Sequence, residues 1–147
     1  MIPPFYMNLW FNTFKKIPVK NTLRGNMKEV FHAYDIRGIA NEEITDEFAY
    51  RLGAAYAQLH KPTKVVVAHD ARLSGPQLSQ AVILGLTDMG VQVINIGLTT
   101  TPAAYFAINH LDADGGIIVT ASHNPKEYNG FKIRSKNSKF IYKENGC

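Results

Sequence analysis

Hydrophobic and polar positions along this chain recur with two periods, and the switches between them mark out strands and helices in alternation. Over residues 29–35, Val30, Phe31, Ala33 and Tyr34 give a strand-like run that leads into a turn at Asp35-Ile36-Arg37-Gly38. Thr45, followed by Asp46 and Glu47, has the form of a helix start: a hydroxyl cap, then acids beside the positive end of the dipole. Behind it Phe48, Leu52, Ala55, Tyr56 and Leu59 fall on one apolar stripe as far as His60, and Lys61-Pro62 stops the helix. Val65, Val66 and Val67 then predict a short buried strand that ends at His69-Asp70.

The alternation repeats. A second helix is expected from about Ser74, with Pro76 tolerated in its first turn, a buried stripe of Leu78, Val82, Leu86 and Met89, and Gly90 just past its end. Val91, Val93, Ile94 and Ile96 predict a third strand. Thr101-Pro102 reads as a cap followed by a first-turn proline, opening a helix through Tyr105, Phe106, Ile108 and Leu111. The β-branched run Gly115-Gly116-Ile117-Ile118-Val119 is the fourth strand, buried on both faces. This order predicts an α/β fold: a three-layer α/β/α domain with a mainly parallel sheet and right-handed crossovers. The loops after the first, second and fourth strands should then share one edge, which is where ligands of open α/β sheets bind.

Composition narrows the reading. At 147 residues, with 46% hydrophobic and 19% charged, the chain is sized for one soluble domain with a real core. No apolar run approaches the roughly 18 residues of a membrane helix, and the first 26 residues make a poor signal peptide. Those residues show neither period, so they are read as a flexible extension before a domain spanning 27–133. Residues 134–147 are read as a divergent tail. The net charge of +4 resides in the ends: 1–26 carries +4, 134–147 carries +3, and 27–133 carries −3. A nucleic-acid reader would be expected to have a basic face on the domain itself, so no such partner is predicted. The single cysteine, Cys147, permits no internal disulfide, in keeping with a cytoplasmic location and no membrane partner.

The chemistry gathers on the loop Thr120-Ala121-Ser122-His123-Asn124-Pro125, just past the fourth strand. Most loop Ser and Asn residues only cap turns or helices. A serine hydroxyl at a strand's carboxyl end can also be a nucleophile or a phosphate carrier. Arg37, Arg72 and Lys132 are the cations best placed to reach it, and such groups suit phosphoryl chemistry. Asp35 and Asp70 are expected to orient those arginines or to cap turns. A serine hydrolase fits poorly, because Ser122 stands in Ala-Ser-His rather than Gly-x-Ser-x-Gly and His123 is its immediate neighbour. His32, His60, His69 and His110 would become a base only by tertiary accident.

Thr120-Ala121-Ser122-His123-Asn124-Pro125, followed by Asn129-Gly130-Phe131-Lys132, resembles the active-site serine loop of the α-D-phosphohexomutases, the phosphoglucomutase/phosphomannomutase family. Ala33-Tyr34-Asp35-Ile36-Arg37-Gly38 resembles that family's N-terminal motif. The resemblance implies that Ser122 exists as a phosphoserine which exchanges its phosphoryl group with a hexose phosphate, moving phosphate between O1 and O6 through a bisphosphorylated sugar. It implies catalytic roles for Ser122, Arg37 and Lys132 in charge stabilisation and proton transfer. Tyr34, His123 and Asn124 shape the pocket in this reading. Mg²⁺ would touch the phosphate on Ser122, and a hexose 1,6-bisphosphate would be the activator. Family members are several times longer, and their metal and sugar-recognition loops lie in later domains. This chain is therefore expected to be a first domain with little turnover by itself. The alternative is a non-catalytic fragment that associates with missing domains or with itself. Ala68-His69-Asp70 departs from the family's Gly-Arg-Asp, which removes one expected arginine.

Overall fold

The computed structural model describes residues 12–13, 16, 30–31 and 35–136. Most of the stretches read as extension and tail lie outside them, as does most of the strand expected over 29–35. Five strands form one sheet: β1 (Ile36–Ile39), β2 (Lys64–His69), β3 (Gln92–Leu98), β4 (Gly115–Val119) and β5 (Tyr128–Ser135). Three helices, α1 (Asp46–His60), α2 (Gly75–Asp88) and α3 (Thr101–His110), connect the first four.

Local chemistry accounts for the helix ends. Thr45 Oγ1 accepts from the Phe48 amide at 3.2 Å, and Lys61 ends α1 in the left-handed conformation with its amide on the Ala57 carbonyl. Pro62 directly after it disfavours any further helix. Thr100, rather than Thr101, caps α3, accepting from the Ala103 amide at 3.3 Å, so Pro102 sits one position deeper in the first turn than expected. Ser74 precedes α2 without capping it. Its hydroxyl instead accepts from Asn129 Nδ2 at 2.7 Å, tying the start of α2 to β5.

The strand order is β1-β5-β4-β2-β3. β2 pairs parallel with β3 and with β4, while β5 runs antiparallel to both β4 and β1. The sheet is thus mixed. Its parallel half comes from the βα alternation, and its antiparallel half from β5, which reaches β4 through a loop with no helix. One face, with Val65, Val67, Ile117, Val119 and Phe131, is covered by α1 and α2. The other, with Val66, Ala68 and Ile118, is covered by Ala104 and Ile108 of α3.

α1 is buried more widely than a single stripe predicts: Ala49, Gly53, Ala54 and Ala57 join Phe48, Leu52, Ala55 and Tyr56, while Leu59 is half-buried. The reason is a second partner. A Cβ on Gly53 would stand 2.4 Å from the Val82 carbonyl oxygen, and one on Gly85 2.1 Å from that of Tyr50, so α1 and α2 touch backbone to backbone. Met89, expected on the buried stripe of α2, is instead exposed, and so is Phe106 of α3. Met89 lies past the last turn of α2, and Phe106 stacks on His110 along the outer side of α3.

Topology locates the site. The chain crosses from β2 to β3 by way of α2, then returns past β2 to β4 by way of α3. Right-handed crossovers in opposite directions require helices on opposite faces, as found. The direction reverses at β2, which opens a crevice at the carboxyl ends of β2 and β4. The Arg72 loop follows one of these ends and the Ser122 loop follows the other.

Candidate functional site

Ser122 lies three residues past the end of β4, half-buried, with φ +54. A left-handed backbone is uncommon for a residue with a Cβ and persists where the surroundings enforce it. Here the Ser122 amide donates to Thr120 Oγ1 at 3.0 Å, Thr120 Oγ1 donates to Asp70 Oδ2 at 2.7 Å, and the Asn124 amide closes the turn on the Ala121 carbonyl at 3.1 Å. The amide and carbonyl of Ser122 are both engaged. Its hydroxyl has no hydrogen-bond partner among the described residues.

Arg37 reaches the loop from β1. It stands in register with Gly130 of β5, whose carbonyl accepts from the Thr120 amide at 2.9 Å, so β1, β5 and the start of the loop lie level. Its Nη1 donates to Asn124 Oδ1 at 2.8 Å, and its Nε donates to Asp35 Oδ2 at 2.7 Å. Of the turn expected at Asp35-Ile36-Arg37-Gly38, only Asp35 lies outside a strand; Ile36, Arg37 and Gly38 belong to β1. The alternating burial of Ile36, Arg37, Gly38 and Ile39 is what points Arg37 away from the α1 face.

The period of two continues in β5: Phe131 and Ile133 join the α1 face, placing Gly130, Lys132 and Arg134 on the other. The sequence signal for that strand is weak, because Gly130, Lys132 and Arg134 leave only Phe131 and Ile133 to mark the period of two. Arg134 lies over the Tyr105 ring, 4.2 Å from its centroid. Desolvation, with the nearby charges of Arg37 and Arg134, holds the Lys132 ammonium below its ordinary pKa, and Asp35 pulls the other way. The folded state thus binds the Lys132 proton less tightly than the unfolded chain does. Its stability should rise with pH between that lowered value and the ordinary 10.5. Asp35→Asn should lower the Lys132 titration midpoint further, because it removes the acid that favours the charge. NMR titration of the Lys132 Nζ resonance checks this, and an upward shift would contradict the arrangement.

Arg72 departs from expectation. Instead of pointing into the crevice, its guanidinium turns onto the backbone of the serine loop. Nη1 donates to the carbonyls of Pro125 at 2.6 Å and Tyr128 at 2.9 Å, and Nη2 to those of Ser122 at 3.1 Å and Asn124 at 2.7 Å. Asp70 pairs with it, accepting the Arg72 amide on Oδ1 at 3.0 Å with Oδ2 3.4 Å from Nε. Sequence reading gave Asp70 this orienting role but assigned none to Thr120, Asn129 or Ser74. Threonine and asparagine at strand ends carry little signal until their partners, some fifty residues away, are known.

His123 is exposed, and Tyr34 lies outside the described residues. An open cleft of about 1030 Å³ borders Asn124, Arg72, Asp70 and Lys126, but its lining includes neither Ser122, Arg37 nor Lys132. Among the described residues no three His, Cys, Asp or Glu side chains gather as a metal site, so the Mg²⁺ implied by the resemblance lacks a ligand set here. No described helix is long and apolar enough to cross a membrane.

The chain is similar to known proteins over most of its length. Residues 28–145 match the phosphoglucomutase/phosphomannomutase α/β/α domain I. A Klebsiella pneumoniae phosphomannomutase is 50% identical over 116 residues, a match covering 79% of this chain and 74% of that one. A Thermococcus kodakarensis phosphoglucomutase/phosphomannomutase is 47% identical over 123 residues, covering 80% of this chain and 27% of the relative. An Escherichia coli phosphomannomutase is 50% identical over 25% of its length, so this chain spans about a quarter of the latter two. The crystal structure of a phosphoglucomutase/phosphomannomutase family protein from Burkholderia thailandensis superposes with a TM-score of 0.70 at 38% identity, over 79% of this chain and 28% of that one. The match takes in every strand and helix described above and continues beyond Ser135, and on that ground the chain belongs to the phosphoglucomutase/phosphomannomutase family.

Proposed function

We propose that this chain contributes the phosphoryl carrier, Ser122, to a phosphohexomutase reaction that moves phosphate between O1 and O6 of a hexose phosphate. The observation that carries the reading is the Ser122 turn: a left-handed residue at the sheet's switch point, with both backbone groups bound and its hydroxyl uncommitted among the described residues. In the loading step Ser122 Oγ attacks a phosphorus of a hexose 1,6-bisphosphate. The bond from that phosphorus to the sugar oxygen breaks, and the proton leaving Oγ is matched by one gained at the sugar oxygen. In the return step a sugar hydroxyl attacks the phosphoserine and regenerates Ser122. Lys132, whose ammonium is already held below its ordinary pKa, shuttles the proton. Arg37, fixed by Asp35 and bonded to Asn124, offsets the charge that builds up on the phosphoryl oxygens. A phosphoserine carries about −1.5 to −2 at neutral pH and favours the protonated form of a nearby lysine. Loading and proton affinity at Lys132 are therefore coupled.

Mg²⁺ enters this proposal only as a group that would neutralise charge on the Ser122 phosphate. The reading is tested by intact-mass measurement before and after incubation with glucose 1,6-bisphosphate in the presence of magnesium. One phosphoryl group should be gained and should map to Ser122, and Ser122→Ala should gain none. Equal uptake by Ser122→Ala, or an adduct mapped elsewhere, would remove the serine from the mechanism.

A further inference from the structure

We infer that Arg72 is a positioning residue: a clamp that sets the Ser122 turn for transfer without itself binding phosphate. The inference rests on the proposed carrier role of Ser122 and adds a division of labour between the two arginines of the site. Arg37 contacts a side chain of the loop and stays partly open to solvent, with 28% of its side chain exposed against 13% for Arg72. Arg72 spends four N–H groups on four carbonyls, those of Ser122, Asn124, Pro125 and Tyr128, and turns its Nε edge toward Asp70. Four of the five guanidinium N–H donors are thus spent and the fifth, on Nε, is buried beside Asp70 without a hydrogen bond among the described residues, so a phosphate approaching the Nη groups would have to displace a loop carbonyl.

The same network fixes the turn from its other end. Asp70 accepts from Thr120 Oγ1, which accepts from the Ser122 amide, so one carboxylate braces the amide side of Ser122 while the arginine it pairs with braces the carbonyl side. The Asp70 amide in turn donates to the Val119 carbonyl at 3.0 Å, anchoring the brace to the last residue of β4. Planarity and the fork geometry of the donors are what allow one side chain to reach four acceptors. Lysine offers three donors from a single point and cannot reproduce the pattern.

The test uses the full chain with two independent readouts. In Arg72→Lys, hydrogen exchange should quicken at residues 120–128 while the thermal midpoint and the exchange of β2 and β4 stay close to wild type. With glucose 1,6-bisphosphate, the maximal rate of Ser122 phosphorylation should fall about a hundredfold, the scale on which a misplacement of around 1 Å is felt. The bisphosphate concentration giving half that rate should change little. Asp70→Asn should show the same pattern in milder form. A rise in the half-saturating concentration at an unchanged maximal rate would make Arg72 a phosphate ligand and overturn the inference, as would unchanged exchange across 120–128. If the wild-type chain takes up no phosphate, the carrier reading fails, and the exchange readout still decides whether Arg72 holds the loop.

Discussion

Gly130→Val is expected to remove a large share of the chain's stability, about 3 kcal/mol or more, and to shift its urea midpoint well below that of the parent. The edge strand β1 crosses β5 so closely here that a Cβ on Gly130 would stand 2.0 Å from the Ile36 carbonyl oxygen and 3.0 Å from Arg37 Cα. Both are backbone atoms in a hydrogen-bonded ladder, so no rotamer change relieves the clash. Overfilling a packed site costs about 1–3 kcal/mol when side chains can yield, and against immobile backbone the upper end or beyond applies. With a total stability on the order of 5–15 kcal/mol for a domain, a loss of roughly 3 kcal/mol removes about a fifth to three fifths of it. Gly130→Ala should already lower the urea midpoint clearly, and valine should do so further. Two variants melting within a few degrees of wild type would show that β1 is not held against β5 as described. Beyond stability, the consequence is positional, because the β1–β5 approach is what brings Arg37 to Asn124.

Much of this arrangement can be read from the residues alone, and the parts that cannot share a cause. α1, β2, α2 and β4 announce themselves, because each has a period sustained over many residues or a run of β-branched side chains between turn signals. β1 and β5 do not. β1 is four residues long and includes Arg and Gly, and β5 interleaves Phe131 and Ile133 with Gly130, Lys132 and Arg134. Both strands trade local strand preference for residues proposed for the site, Arg37 and Lys132, which is where local rules are expected to fail. The serine loop is legible as a motif, and the expected approach of Arg37 to it is met by the bond to Asn124. The direction in which Arg72 points is not legible. An arginine in a loop can as well serve a phosphate as a ring of carbonyls, and only the fold decides which acceptors come within its reach.

The Phe131→Ala variant should lose about 3–5 kcal/mol, the usual cost of truncating a buried phenylalanine. Phe131 is fully buried and stacks on Phe48 at 6.0 Å with an interplanar angle of 12°, and Phe48 contacts Phe31 at 5.9 Å. This aromatic row fastens the antiparallel half of the sheet to α1. Leucine keeps much of the volume and should cost less than alanine, about 1.5 kcal/mol, so the urea midpoints should order as wild type, leucine, alanine. The position of Phe131 adds a second expectation. Its neighbours in β5 are Gly130, whose carbonyl holds the Thr120 amide, and Lys132. A cavity under Phe131 should therefore quicken exchange in β5 and the serine loop before it affects β2 and β3, which pack on the α1 and α2 side through Val65 and Val67 of β2 and Val93 of β3. A uniform loss of protection across all five strands would instead mean that the sheet opens as one unit, and that the aromatic row has no special hold on the half that carries Arg37 and Lys132.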